Sequence, residues 1–267
     1  MGKIKLEDMP IFCINLDRRP DRWLKFNKQP SLQKLPKVQR FPAVDGRKLS
    51  IEDNDIITLE TKYNIINKTR RSHGEIASIG AIGCTMSHIN VWKKFIDEYP
   101  DKDYCLILED DAKLPSNLNI LIENCSKNLP EIGDKFDVWL LYYYLYNKNI
   151  KKQTQNWFSP EEFWGTVAYI ISREGVQKLL KDIYPIESQI DRYLFLKSKV
   201  DDLKIVIHKK LKVKHFGDSS DIQGDNCKLC NLPNDMKNLT VMNKYILTLL
   251  LGYSLFMTYM YIKKKSK

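Results

Sequence analysis

Three consecutive acids, Glu109-Asp110-Asp111, follow the apolar run Leu106-Ile107-Leu108. Such a run reads as a buried strand, and in open α/β sheets ligands bind beyond the carboxyl ends of strands. Three adjacent carboxylates repel one another unless something positive neutralises them. Mg²⁺ or Mn²⁺ does this with one or two carboxylates, leaving its other positions to water and phosphate oxygens. Side chains alternate along a strand, so Glu109 and Asp111 are expected to point together. The alternative is a solvated acidic turn ahead of the helix that begins near Ser116.

The elements that must hold these acids alternate between strand and helix. Ile11 to Leu16 is an apolar run that reads as a buried parallel strand, followed by a helical stretch to about Gln29. A second extended segment, Val38 to Val44, ends at the Asp45-Gly46 turn signal. Residues from Ile51 to Arg71 read as helical or loop insertion. A long helix is expected over Ser78 to Tyr99, where Ile82, Met86, Ile89, Trp92 and Phe95 keep close to helical period. Gly80 and Gly83 weaken its start and point to a close backbone approach there. A helix over Ser116 to Leu129, a strand in FDVWLLYYY and a strand in WGTVAYIIS follow, the last running into a helix through Leu180. A helix from Glu187 to Lys197 and short strands between Leu203 and Val213 complete an α/β sheet flanked by helices.

The 267 residues carry a formal charge of +10, which suits an anionic partner: a nucleotide, a nucleic acid or a lipid head group. Met1 to Pro10 is charged and holds no apolar core of a secretory signal. Of the six cysteines, Cys13, Cys84, Cys105 and Cys125 lie in apolar or amphipathic runs and read as reduced core residues. Tyr245 to Ile262 has no charge and is flanked by lysines. Eighteen helical residues span about 27 Å, close to the roughly 30 Å of a bilayer core. The reading is a single-pass C-terminal anchor at 245–262, a linker at 222–244 and a domain at 9–221 that faces the cytosol. A buried terminal helix is the alternative.

Four blocks in this order, INLDRRPDRW, GAIGCTMSHINVWKKF, LILEDDA and WGTVAYIISREGVQKLL, resemble glycosyltransferase family 25, the lipopolysaccharide and procollagen galactosyltransferase-like enzymes. The resemblance runs from about Ile11 to Asp221. It implies a GT-A, Rossmann-like fold, a UDP-sugar donor, a manganese-type ion held by an acidic motif, and inversion at the anomeric carbon. The acids of that motif match Glu109, Asp110 and Asp111. Asp111 is then the first choice of metal ligand and Glu109 the next, with Asp110 free to contact the donor ribose or sugar.

The resemblance also suggests roles for other residues. Asn15, Arg18 and Arg22 follow the first strand and suit a nucleotide or phosphate, since guanidinium pairs well with phosphate oxygens. Asp45 can accept from a uridine or ribose group. Ser87 and His88 form the family's Ser-His pair and are expected to line the donor pocket, although His88 can equally be a satisfied core residue. His215 is a third metal ligand, a diphosphate contact or an ordinary strand-end histidine. Inversion by single displacement needs a base for the acceptor proton. Asp191, at the start of a predicted helix, is the candidate, with a helix-capping acid as the alternative. The acceptor is a glycan, a lipid-linked glycan or a protein.

Two readings of another class compete. The positive charge suits a nucleic-acid binder, but the lysines are scattered rather than gathered in a stripe, so no nucleic-acid partner is expected. Cys227 and Cys230 form half of a zinc site, with only His208 and His215 upstream to complete it.

Overall fold

A computed structural model describes residues 4–52, 55–133, 135–145, 150–200, 203–217 and 220–222, with 248–250, 252–254 and 263 farther on. The chain divides into two compact units, Met1–Gly224 and Asp225–Lys267. In chain order the first unit opens with β1 (Ile11–Asn15), α1 (Pro20–Asn27), β2 (Val38–Pro42), α2 (Leu59–Asn67) and α3 (Ile79–Glu98). Then come β3 (Tyr104–Glu109), β4 (Ala112–Lys113), α4 (Leu118–Ser126), β5 (Val138–Leu140) and β6 (Tyr144–Leu145). They are followed by β7 (Ile150–Lys152), β8 (Trp157–Pro160), β9 (Phe163–Trp164) and β10 (Ala168–Ser172). The last elements are α5 (Arg173–Leu180), α6 (Ile190–Val200), β11 (Ile205–His208) and β12 (Lys214–His215).

The central sheet is mixed, in the order β2-β1-β3-β10-β5-β11-β8-β7. β2, β1 and β3 run parallel, so their carboxyl ends share one edge. β10 runs antiparallel between β3 and β5. The central strands are apolar throughout because both faces are covered. Phe12, Ile14, Ile107 and Tyr169 pack with Ile82, Ile89, Trp92 and Phe95 of α3 and with Val176 and Leu179 of α5. The alternate residues Ile11, Cys13, Leu106, Leu108 and Ile170 pack with Leu118, Ile122 and Cys125 of α4 and with Phe26 of α1. Helices on both faces of one sheet are the α/β arrangement that the pattern of elements implied.

Local chemistry sets the helix starts. The Ser78 hydroxyl accepts from Ala81 N–H at the start of α3, and the Ser172 hydroxyl accepts from Gly175 N–H at the start of α5. A cap of this kind contributes about 1 kcal/mol. Pro20 opens α1, where no N–H is needed. Cys13, Cys84, Cys105 and Cys125 are free thiols, three buried and Cys84 partly so.

The structure departs from the expected elements in three places. FDVWLLYYY is not one strand: the N–H groups of Leu141 and Tyr142 both lie 2.9 Å from the Ala168 carbonyl, and this bulge ends β5 at Leu140. The helix expected to Leu129 stops at Ser126 and gives way to a 3-10 turn, Leu129–Ile132, which contains Pro130. The β7–β8 hairpin appears where no strand was expected.

Among the described residues no helix is long and apolar enough to cross a membrane. The expected span at 245–262 falls mostly outside them, although 248–250 and 252–254 are helical. Most of the expected linker, with Cys227 and Cys230, also lies outside the described residues.

Candidate active site

The parallel register pairs Ile14 with Glu109, which brings Asn15 and Asp110 side by side just beyond the strand ends. Asn15 is buried and fully engaged. Its Nδ2 donates to Asp110 Oδ2 at 2.6 Å and to the Arg19 carbonyl at 3.0 Å, while its Oδ1 accepts from Arg40 Nε at 2.8 Å. Arg22, in the first turn of α1, places Nη1 3.1 Å from Asp110 Oδ1.

These residues open onto a cleft of about 540 Å³. One wall carries Asn15, Arg18 and Arg22; Asp45, Ser87 and His88 form another; Glu109, Asp110, Asp111 and His215 complete it. The cleft therefore gathers every predicted site residue except Asp191. That residue lies on an adjoining pocket of about 100 Å³, which shares Cys84, Glu109 and Gly165 with the cleft.

The acids do not follow strand alternation. β3 ends at Glu109, and Asp110-Asp111 form a turn before β4, so the strand does not extend to Asp111 as expected, although Glu109 and Asp111 line the same cleft. Glu109 Oε1 accepts from the Thr166 hydroxyl at 2.8 Å and lies 3.4 Å from His88 Nε2. Burial pushes the Glu109 carboxyl up, but hydrogen bonding from His88 and Thr166 outweighs it and holds the group below the usual glutamate range. Asp110 ends above the usual range because its burial outweighs Asn15 and Arg22. Asp111 Oδ1 is buried without a hydrogen-bond partner. Burial, then the charges of Glu109 and Asp110, push Asp111 up to about 7.

An orphaned carboxylate oxygen in a negative field fits a bound cation. The predicted ligand trio of Glu109, Asp111 and His215 is nevertheless not assembled. Among the described residues no group of three His, Cys, Asp or Glu side chains is placed to hold a metal ion. Glu109 is taken up by His88 and Thr166 instead. His215 reaches the cleft because β12 pairs with β4, and Phe216 N–H donates to the Asp111 carbonyl at 2.9 Å. Its Nδ1 accepts from Gly217 N–H at 3.0 Å, and its ring meets Tyr142 edge-on at 5.5 Å.

The Asp45 wall depends on close backbone contact. A Cβ on Gly83 would lie 2.5 Å from the Val44 carbonyl oxygen, and one on Gly46 would lie 2.1 Å from the Ile79 carbonyl oxygen. Ser87 latches the same contact: its hydroxyl accepts from Val44 N–H at 2.8 Å and donates to the Gly83 carbonyl at 2.6 Å. Asp45 accepts from Arg18 Nε at 3.1 Å and from Arg47 N–H at 3.2 Å. His88 is both wall and core, fully buried and 2.8 Å from the Tyr169 hydroxyl. Asp191 accepts from Gly165 N–H at 2.9 Å and Arg192 N–H at 2.7 Å, and burial raises its carboxyl above the usual range.

Other residues join the site that the sequence reading did not single out. Asp221 lies 2.6 Å from Arg18 Nη1, bonds Arg19 Nη1 and sits 3.9 Å from Arg22 Nη2. The bulge at Leu141-Tyr142 aims Tyr142 at the cleft, and Gly165, with φ of 91°, leaves room for its ring. Thr166 and Tyr169 stand behind Glu109 and His88. Both fall inside the WGTVAYIISREGVQKLL block, but their partners lie 57 and 81 positions away, so the block does not show what they bond.

The family model of glycosyltransferase family 25 (LPS biosynthesis protein) matches residues 8–194. A glycosyltransferase 25 family member of Aedes aegypti is 30% identical over 203 residues, 72% of this chain and 31% of its own. The Anopheles gambiae member is 29% identical over 201 residues, 72% of this chain and 32% of its own. Human procollagen galactosyltransferase 2 is 28% identical over 182 residues, 64% of this chain and 27% of its own. The chain thus spans about a third of the length of these curated relatives. One solved structure, A197 from STIV, aligns with a TM-score of 0.39 and 13% identity over 79% of this chain and 86% of that one, too slight a likeness to carry an argument. On the match across 8–194, the chain belongs to glycosyltransferase family 25.

Proposed function

We propose that this chain transfers a hexose, galactose or glucose, from a UDP-sugar to an acceptor hydroxyl with inversion, on a GT-A-type domain. The observation that carries the reading is the meeting of Arg18, Arg22 and the Glu109-Asp110-Asp111 acids on one cleft at the carboxyl edge of β1 and β3. Cationic and acidic groups together suit a diphosphate that arrives with a divalent ion. Asp111, with its unpartnered oxygen, is the residue best suited to hold Mn²⁺ or Mg²⁺; His215 neighbours it, and Glu109 contributes charge. Bound there, the ion would offset charge on the departing diphosphate.

The chain's own residues supply the rest. Arg18 and Arg22 face the phosphates, and both now sit against carboxylates that the donor would replace. Asp45 accepts from the ribose or uracil, and Asp110 is positioned by Asn15 toward the sugar side. Asp191, raised by burial, takes the acceptor proton from the adjoining pocket. The likeness to human procollagen galactosyltransferase 2 favours a protein acceptor and galactose over a glycan or lipid-linked glycan. The apolar segment at 245–262 is read as a single-pass anchor, with the catalytic domain on the cytosolic side.

The deciding experiment is release of UDP from a panel of UDP-sugars, with and without Mn²⁺, with Asp111→Asn as the control. Metal-dependent turnover of one donor, abolished in the variant, is expected. Absence of both turnover and UDP-sugar binding under all conditions would overturn the reading.

A further inference from the structure

Behind the cleft runs a chain of hydrogen bonds that the transfer chemistry leaves unused. Trp92 Nε1 donates to the Tyr169 hydroxyl at 2.9 Å, and that hydroxyl lies 2.8 Å from His88 Nδ1. Trp92, Tyr169 and His88 are all fully buried. On the other side of the ring, His88 Nε2 lies 3.4 Å from Glu109 Oε1 and 3.5 Å from Thr166 Oγ1. Thr166 donates to the same Glu109 oxygen at 2.8 Å.

The donor and acceptor inventory fixes where the protons sit. An indole N–H can only donate, so the Tyr169 oxygen accepts from Trp92. The phenolic proton then needs an acceptor of its own, because an unpaired buried hydroxyl is costly. Among the described residues, the hydrogen-bond partner able to accept it is His88 Nδ1. Nδ1 is therefore bare, and a neutral ring carries its proton on Nε2, the nitrogen that faces Glu109.

We propose that Tyr169, anchored by Trp92, locks His88 in the Nε2–H tautomer and so makes His88 a standing donor to Glu109. Tyr169 is a positioning residue: it touches no substrate and acts through His88. With donors from both His88 and Thr166, Glu109 Oε1 is fixed at the end of β3, and its charge stays beside Asp111. Aromatic residues in a core otherwise read as packing alone. Here Trp92 and Tyr169 carry orientation from the interface of α3 and β10 to the acidic edge. The consequence for turnover rests on the transferase reading, whereas the tautomer is a property of the folded chain.

The test is a long-range proton–nitrogen correlation spectrum of the full-length chain labelled with ¹⁵N-histidine. The four histidines can be assigned by the signals lost in His88→Gln. The expected pattern at neutral pH is a protonated Nε2 and a bare Nδ1 on His88. A protonated Nδ1, alone or together with Nε2, would overturn the proposal. Tyr169→Phe should break the exclusive pattern and lower kcat for UDP release about tenfold while the donor KM stays within about twofold. Trp92→Phe, a similar loss in the same core, should keep the tautomer because the phenolic proton is still present. Loss of the pattern in both variants, or its retention in Tyr169→Phe, would also overturn it. If the wild type turns over no UDP-sugar, the transferase reading fails while the spectrum still decides the tautomer.

Discussion

Asn15 Nδ2 lies 2.6 Å from Asp110 Oδ2, joining two residues 95 positions apart at the carboxyl ends of adjacent parallel strands. The bond leaves Asp110 ionisable in a buried site, and the other two bonds of Asn15 tie the same point to Arg19 and Arg40. Asn15→Leu removes all three bonds together and leaves Asp110 Oδ2 buried without its donor, with Arg22 still on Oδ1. The expected cost is about 3 kcal/mol, a fall in Tm on the order of 5–10 °C. Thermal melting of variant and wild type checks it; a fall under about 2 °C would mean that water replaces the amide.

Asp111 predicts a pH signature. Its carboxyl would ionise near 4 in the unfolded chain and ionises near 7 in the folded one. Between those values the folded state holds a proton that the unfolded state has released, so stability falls as pH rises from 4 to 7 and levels off above 7. The loss is on the order of 4 kcal/mol, and Asp111→Asn should flatten that part of the profile. A cation at the orphaned oxygen competes with the proton, so Mn²⁺ should raise Tm more at pH 8 than at pH 5, and only when Asp111 is present. An equal rise in the variant would place the ion elsewhere.

Gly83 predicts a steric effect with a functional readout. A methyl group there would lie 2.5 Å from the Val44 carbonyl oxygen and 2.8 Å from Gly46 N, both backbone atoms that cannot rotate away. Gly83→Ala should push α3 off the Asp45 turn at a cost of about 2 kcal/mol or more. UDP binding should weaken severalfold, because Asp45 moves with the turn, and calorimetry would read it. Unchanged binding with a lowered Tm would remove Asp45 from the nucleotide contacts.

Much of this arrangement was legible in the sequence for definite reasons. β1 and β3 are continuous apolar runs because both faces of the sheet are covered, and α3 repeats at helical period with a serine cap. Gly80 and Gly83 announced the close approach that the backbone makes. The bulge at Leu141-Tyr142 was hidden, since a bulge changes hydrogen bonding without interrupting an apolar run. The β7–β8 hairpin was hidden too, because its edge strand Ile150–Lys152 is exposed and lysine-rich. Roles set by partners distant in the chain were the hardest to read. Nothing near Glu109 in sequence tells that its carboxylate is held by His88 and Thr166.

Asp221 makes the last prediction. Arg18 and Arg19 bond its carboxylate, and Arg22 stands 3.9 Å away, so guanidinium groups converge on one anion inside the cleft. That arrangement is also the one a diphosphate would need. Burial pushes the Asp221 carboxyl up, but its bond to Arg18 and the charges of Arg18, Arg19 and Arg22 hold it below the ordinary aspartate range. Its stabilising effect is thus present above about pH 4 and lost as pH falls through the lowered value. At neutral pH the carboxylate competes with the phosphates for the same cations. Asp221→Asn should then tighten UDP binding about tenfold at low salt, with the gain shrinking as salt rises, and lower stability by about 1 kcal/mol. Calorimetric titration at two ionic strengths separates the two roles open to this residue: weaker binding in the variant would mean that Asp221 orients the arginines for the donor, and tighter binding that it stands in the donor's place.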